Sequence, residues 1–255
     1  VESMEIEVLE EYMINRVNKP LRLDGAYNIR ELGGYTTVDG KTTKTGVFLR
    51  GDGTQSLSDR DLDILNDIGV SLVVDLRSPD EVTEQPSRFH LCEHIRYENV
   101  VMFDGLRMFL ASEKMPKSMA ELYCILLDKC KEQYKRIFGY FLDNKGVSLF
   151  HCTAGKDRTG VVAMLLLQLA GVPDDMIIAD YSVSENNMSG VFEEQHRTLY
   201  ASGIEVPEIV FGSRTEDMEN TLKYLSDNYG CAESYLLDCG LRQQEISSLK
   251  TIFVD

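Results

Sequence analysis

Val147-Ser-Leu-Phe-His-Cys-Thr-Ala-Gly-Lys-Asp-Arg-Thr-Gly160, with the apolar run behind it, is the stretch that decides the reading of this chain. Val147 to Phe150 reads as a short buried strand. Arg158 to Ala170 is apolar on nearly every face, which predicts a helix at the centre of the core. Between them stand Cys152, five further residues, and Arg158. A tight strand-to-helix turn points successive backbone N–H groups into one concavity at the positive end of a helix dipole, and that is an anion site. Gly155 and Gly160 let the chain turn tightly and pack closely there.

Arg158 adds a planar fork suited to two phosphate oxygens at once. The same positive surroundings favour the thiolate form of Cys152 at neutral pH. A nucleophilic sulfur on the floor of an anion cradle is a device for taking a phosphoryl group onto cysteine. A Cys six residues before an Arg is common by chance, and a buried Cys is usually only a small hydrophobe. The preceding strand, the internal glycines and the Arg-Thr-Gly that opens a core helix are what lift this pair above that background. A nucleotide-binding loop is excluded, because Phe150 stands where its first glycine is required and Asp157 follows Lys156 in place of Ser or Thr.

His151-Cys-Thr-Ala-Gly-Lys-Asp-Arg-Thr-Gly160 resembles the phosphate loop of the cysteine-dependent phosphatases. Within these it is most similar to the bacterial tyrosine phosphatase family that includes mycobacterial protein tyrosine phosphatase B and the secreted lipid phosphatase of Listeria. Asn28-Ile-Arg-Glu-Leu-Gly-Gly-Tyr35, Asp39-Gly-Lys41, Lys44-Thr-Gly46, Phe48-Leu-Arg50 and Val74-Asp-Leu-Arg-Ser78 look like that family's amino-terminal blocks. Tyr229-Gly230 and Gly240-Leu241 also fit, so the likeness runs from about Leu23 onward. It implies an α/β fold of the tyrosine phosphatase type: a central, mostly parallel sheet flanked by helices, with the phosphate-binding loop between a central strand and a core helix.

Composition sets the outer bounds. At 255 residues with no evident linker, the chain is expected to form one domain, able to bury roughly 70–75% of its unfolded surface. With 42 acidic against 26 basic residues the formal net charge is −16, which disfavours nucleic acid or an anionic membrane as a bulk partner. Lys156 and Arg158 are a local exception to that acidity. The six cysteines show no compact framework and no Cys-x-x-Cys pair, so they read as ordinary thiols around one catalytic one. The four scattered histidines imply no metal, and no cofactor is needed. No stretch is long and apolar enough to span a membrane and no signal peptide is visible. The chain begins with Val, so a removed upstream segment is not excluded, and both a cytoplasmic and a secreted location stay open. Oligomeric state is not legible.

Along the chain, residues 1–20 read as an amino-terminal arm with an amphipathic pattern. Leu21 to Arg50 reads as short strands and turns, with a hairpin at Asp39-Gly40. Arg30 and Arg50 look like exposed cations, best explained as surface salt bridges. A helix capped by Ser58 and closed by Gly69 precedes an apolar strand, Val70 to Leu76. Functional groups gather at the carboxyl ends of parallel strands, so Asp75 could share the loop's crevice and anchor Lys156 or orient Arg158, with Arg77 structural. A strand is expected over Ile95 to Met102 and one long helix over Met119 to Leu142. Gly171 closes the core helix and Asp174 caps the next. Residues 182–215 look least regular and are a candidate lid or substrate loop. Helices are expected over Glu216 to Tyr229, Ala232 to Cys239 and Gln243 to Phe253.

The expected chemistry is hydrolysis of a phosphate monoester in two steps through a phosphocysteine on Cys152. Backbone N–H groups of Thr153, Ala154, Gly155, Lys156, Asp157 and Arg158, with the Arg158 fork, hold the equatorial oxygens. His151 tunes the loop by hydrogen bonding, and Thr159 can donate to the departing sulfur. Asp157 resembles the residue to which this family assigns proton donation. Asp104 is its rival, because other cysteine phosphatases bring the acid from a separate loop. Lys156 resembles the lysine of phosphoinositide-cleaving loops and suggests positive charge at the mouth. The substrates implied are phosphotyrosine proteins, with phosphoserine, phosphothreonine and phosphoinositides as extensions, and inorganic phosphate is the product. A catalytically dead phosphate-binding module and a rhodanese-like sulfur transferase are the alternatives; the intact Cys152, Asp157 and Arg158 speak against the first, and Lys-Asp-Arg-Thr-Gly against the second.

Overall fold

The computed structural model describes residues 17–102, 117–201 and 208–255. Residues 1–16 of the expected amino-terminal arm, and Asp104, lie outside the described residues. β1 (Arg30–Glu31), β2 (Phe48–Gly51), β3 (Val70–Asp75), β4 (Arg96–Asn99) and β5 (Val147–His151) form one sheet in the order β1-β2-β5-β3-β4. β1 is antiparallel to β2, and every other pairing is parallel. β5 is buried along its whole length, as a parallel strand covered on both faces must be, and that is why its sequence lacks alternation. Phe150, Leu72 and Val74 point into the larger core, while Leu149, Val147 and Val73 point into the smaller one behind the sheet.

Nine α-helices are found among the described residues. α1 (Asp59–Asp67) and α2 (Pro79–Glu84) both start with capping boxes, at Ser58/Asp61 and Ser78/Glu81. α3 (Met119–Lys129) and α4 (Lys131–Asp143) replace the single long helix expected over this stretch. Cys130, at φ −109° and ψ 26°, breaks the helical path between them. The two halves serve different neighbours. α3 packs on α5 (Asp157–Ala170) and α7 (Thr215–Tyr229), and α4 packs on α8 (Ala232–Asp238) and α9 (Gln243–Phe253). α5 is buried at nearly every position and stops at Gly171, which takes the left-handed conformation at φ 83°.

The second departure from expectation is larger. α6 runs from Asp174 to Ala201, so the first part of the expected irregular segment is helix. Asn186, Asn187, Ser189 and Gly190 are poor helix formers, but Ser184, Met188 and Phe192 are buried against the rest of the molecule and tertiary packing overrides propensity. The third departure concerns charge. Arg30 and Arg50 are fully buried and share Asp180 as their ion-pair partner, so they are not surface cations. No helix among the described residues is long and apolar enough to cross a membrane.

Candidate active site

Because β2, β5 and β3 are parallel, their carboxyl ends coincide. Gly51 and Asp75 both register against His151, the last residue of β5. The loop from Cys152 to Lys156 leaves this edge and enters α5, which begins without any side-chain cap. The first N–H groups of a helix have no intrahelical acceptor, so an uncapped start keeps them available to an anion.

Three successive loop carbonyls are held from the protein side. Thr153 O accepts from Gly53 N at 3.0 Å, Ala154 O from Asn28 Nδ2 at 2.9 Å, and Gly155 O from Arg50 Nη2 at 2.7 Å. In a planar trans peptide the N–H of the next residue points opposite to the carbonyl. Anchoring these three carbonyls therefore turns the N–H groups of Ala154, Gly155 and Lys156 away from their anchors, to the opposite side of the loop. Gly155 has φ 67°, and a Cβ there would lie 2.4 Å from the Gly51 carbonyl carbon, so only glycine lets the loop press onto the end of β2.

Cys152 sits at the base of this loop with 2% of its surface exposed. Arg158 flanks it from the first turn of α5. Its Nη1 and Nη2 donate to the two carboxylate oxygens of Glu81 at 2.7 and 2.8 Å, and Nη2 reaches Thr153 Oγ1 at 3.3 Å. Thr153 Oγ1 also donates to Glu81. Burial opposes charge on Glu81, but Arg158 and Thr153 outweigh it and hold the carboxyl well below its ordinary value. Glu81 was not singled out from sequence. Ser78-Pro-Asp-Glu81 just beyond the end of β3 is nevertheless a capping-box signature, and it places Glu81 at the sheet edge where the loop emerges.

Asp157 is one-quarter exposed and accepts a hydrogen bond from the buried Tyr123 hydroxyl at 2.5 Å, with Lys156 Nζ 3.4 Å from the same oxygen. Lys156 itself is 1% exposed, and its Nζ donates to the carbonyls of Val210 at 2.5 Å and Gly212 at 2.9 Å. The expected free cation at the mouth is thus a buried tie between the loop and residues 210–212. Thr159 Oγ1 is buried with no hydrogen-bond partner among the described residues. Buried hydroxyls rarely go unpaired, and this one lies one residue after the arginine that closes the loop.

Asp75 does not reach Lys156 or Arg158 as expected. It binds Arg77 through Nε and Nη2 at 3.0 and 2.7 Å, and it accepts from Tyr97 OH at 2.7 Å. The two residues are local in sequence, so the pair needs no cation from elsewhere in the chain. Burial opposes charge on Asp75, but neighbouring His151 and Arg77 outweigh it and bring the carboxyl to about 2. Burial also lowers His151, which is therefore neutral at pH 7 and acts on Asp75 as a charge only at acid pH, whereas Arg77 is charged throughout. His151 Nδ1 lies 3.1 Å from Cys152 O, and its Nε2 lies 3.6 Å from Asp75, so the ring spans from the β3 end to the loop.

The model of the tyrosine phosphatase family matches residues 21–255. A tyrosine-protein phosphatase of Nostoc commune is 34% identical over 218 residues, covering 80% of this chain and 73% of its own. The triple-specificity protein phosphatase PtpB of Mycobacterium tuberculosis is 29% identical over 119 residues, 42% of this chain and 43% of its own. A match running from Leu21 to the last residue, over the sheet, the loop and the carboxyl-terminal helices alike, means that the chain belongs to the tyrosine phosphatase family.

Proposed function

We propose that the chain hydrolyses phosphotyrosine on proteins through a phosphocysteine at Cys152. The observation that carries this reading is a buried cysteine at the base of a loop whose carbonyls are anchored outward at the uncapped start of a helix. In the first step the Cys152 thiolate attacks phosphorus in line, an S–P bond forms, and the bond to the tyrosyl oxygen breaks. Asp157, partly exposed and oriented by Tyr123, gives its proton to that oxygen. The loop N–H groups and Arg158 stabilise the charge spread over the three equatorial oxygens. Both terminal nitrogens of Arg158 donate to Glu81 and Nη2 also reaches Thr153 Oγ1, so Glu81 and Thr153 hold the fork beside the loop.

In the second step water attacks phosphorus, Asp157 takes its proton, and the S–P bond breaks to release phosphate. The Thr159 hydroxyl, which has no hydrogen-bond partner among the described residues, is suited to donate to the sulfur as its charge returns. His151 orients the Cys152 carbonyl and is neither a base nor a metal ligand in this scheme. Phosphoinositide hydrolysis loses one of its supports, because Lys156 is buried and its charge is spent on carbonyls and Asp157. The test is a panel of phosphotyrosine, phosphoserine and phosphoinositide substrates beside a thiosulfate assay. Phosphotyrosine should be turned over with the highest kcat/KM, and sulfur transfer or preference for the lipid would replace this reading.

A further inference from the structure

The loop is tied to α6 by four separate routes, one for each of four consecutive residues. Ala154 is held by Asn28, whose Oδ1 accepts from Asn187 Nδ2 at 2.9 Å. Gly155 is held by Arg50, whose Nη1 binds Asp180. Lys156 is held by the 210–212 carbonyls, and the next residue, Ser213, donates its N–H to Glu185 at 2.8 Å. Asp157 is held by Tyr123, whose hydroxyl lies 2.7 Å from that of Tyr181. All four anchors come from the first half of α6.

Of these, Asp180 is the hub. One of its oxygens binds Arg50, and the other accepts from Arg30 Nε at 3.2 Å and from Tyr35 OH at 3.1 Å. Arg30 Nη2 also donates to the Asp180 carbonyl at 2.6 Å. Arg30 and Arg50 have no exposed side-chain surface, and Asp180 has 1%. Burial, with the like charge of Arg50, lowers Arg30 to about 10 despite Asp180. Burial also opposes charge on Asp180, but the two guanidinium groups outweigh it and hold the carboxyl below its ordinary value. Two cations facing one anion in a dry site repel each other, so the carboxylate fixes where each of them can lie. For Arg50 that place puts Nη2 on Gly155 O.

We propose that Asp180 is a positioning residue for phosphate binding: through Arg50 it holds the Gly155 carbonyl and so turns the Lys156 N–H into the oxyanion seat. The inference rests on the reading of residues 152–158 as the phosphate loop. Asp180 touches neither the substrate nor the reacting atoms, so its signature is in anion affinity and kcat, not in stability alone.

The probe is tungstate, a tetrahedral oxyanion, titrated calorimetrically into Cys152→Ser, Cys152→Ser/Asp180→Asn and Cys152→Ser/Arg50→Met, with kcat and KM measured on the single Asp180 and Arg50 variants. Asp180→Asn should weaken tungstate binding and lower kcat/KM by ~100-fold, mostly in kcat, as expected when one oxyanion donor is lost or misplaced. That variant leaves two buried arginines without a counter-charge and is at risk of not folding. Arg50→Met is the safeguard: it leaves a balanced Arg30–Asp180 pair, removes the Gly155 contact, and should show the same loss. Folded variants that bind tungstate and turn over substrate like their parents, whatever their melting temperatures, would overturn the inference and leave the loop reading intact. A Cys152→Ser parent that binds no tungstate would overturn both.

Discussion

Two buried ionic clusters stand on either side of β5, and they are built on opposite principles. On the β3 side, Asp75 and Arg77 lie two residues apart and pair one to one. On the β2 side, Asp180 takes two arginines that precede it by 150 and 130 residues. The first cluster closes almost as soon as its strand ends, and it meets the loop through the neutral ring of His151. The second forms only once α6 has docked on the sheet, and through Arg50 it reaches the loop directly. A local pair can stabilise an edge, whereas a long-range cluster makes the geometry of a site depend on the whole fold.

The loop between the clusters gives the scale against which each is measured. Cys152→Ser should abolish turnover, because a hydroxyl is not ionised at neutral pH, while leaving both clusters and the melting temperature near those of the parent. Substantial residual hydrolysis of p-nitrophenyl phosphate would remove the covalent mechanism. Arg158→Lys should lower kcat by about 10²- to 10³-fold, since a point charge cannot make paired contacts with both Glu81 and phosphate. Steady-state kinetics close to wild type would show that Glu81 binds Arg158 away from the substrate.

Asp157→Asn separates proton donation from charge stabilisation. A basic leaving oxygen needs a proton and an acidic phenol does not, so phosphotyrosine turnover should drop by about 10²- to 10⁴-fold and p-nitrophenyl phosphate far less. A uniform loss across leaving groups would move the acid elsewhere, to Asp104 in the first instance.

Asp75→Asn should act mainly on stability, in contrast with Asp180→Asn. The folded carboxyl at about 2 lies below its unfolded value, so its contribution is complete above about pH 4 and is lost as pH falls through about 2. Urea midpoints measured against pH should therefore show a flatter acid limb in the variant. An unchanged acid limb would mean that Arg77 does not stabilise the carboxylate. The smallest expected effect is that of EDTA. In the proposed scheme the cysteine supplies the nucleophile and the loop the charge stabilisation, so the rate should not move, and a strong loss would reopen a metal-dependent reaction.

What the sequence determined by itself was whatever depends on neighbours along the chain. Val147 to Gly160 revealed the strand, the turn and the core helix, because a buried parallel strand and an all-apolar helix announce themselves in consecutive residues. Ser58, Gly69, Gly171 and Gly230 marked helix ends through local backbone requirements. Cys152, Asp157 and Arg158 stand together in the sequence because the loop that carries them is continuous.

Tertiary structure alone decided the rest. It broke the Met119–Leu142 helix at Cys130, since the two halves answer to different neighbours. It ordered Ser182 to Ala201, because helix propensity is weak beside the burial of Met188 and Phe192. It buried Arg30, Arg50 and Lys156, which a sequence reading leaves on the surface, because a charge is buried only when a partner is supplied and those partners lie far away along the chain. The chain spells out the loop from Cys152 to Arg158, but which carbonyls are anchored, and hence where its N–H groups point, is set by residues that only the fold brings together.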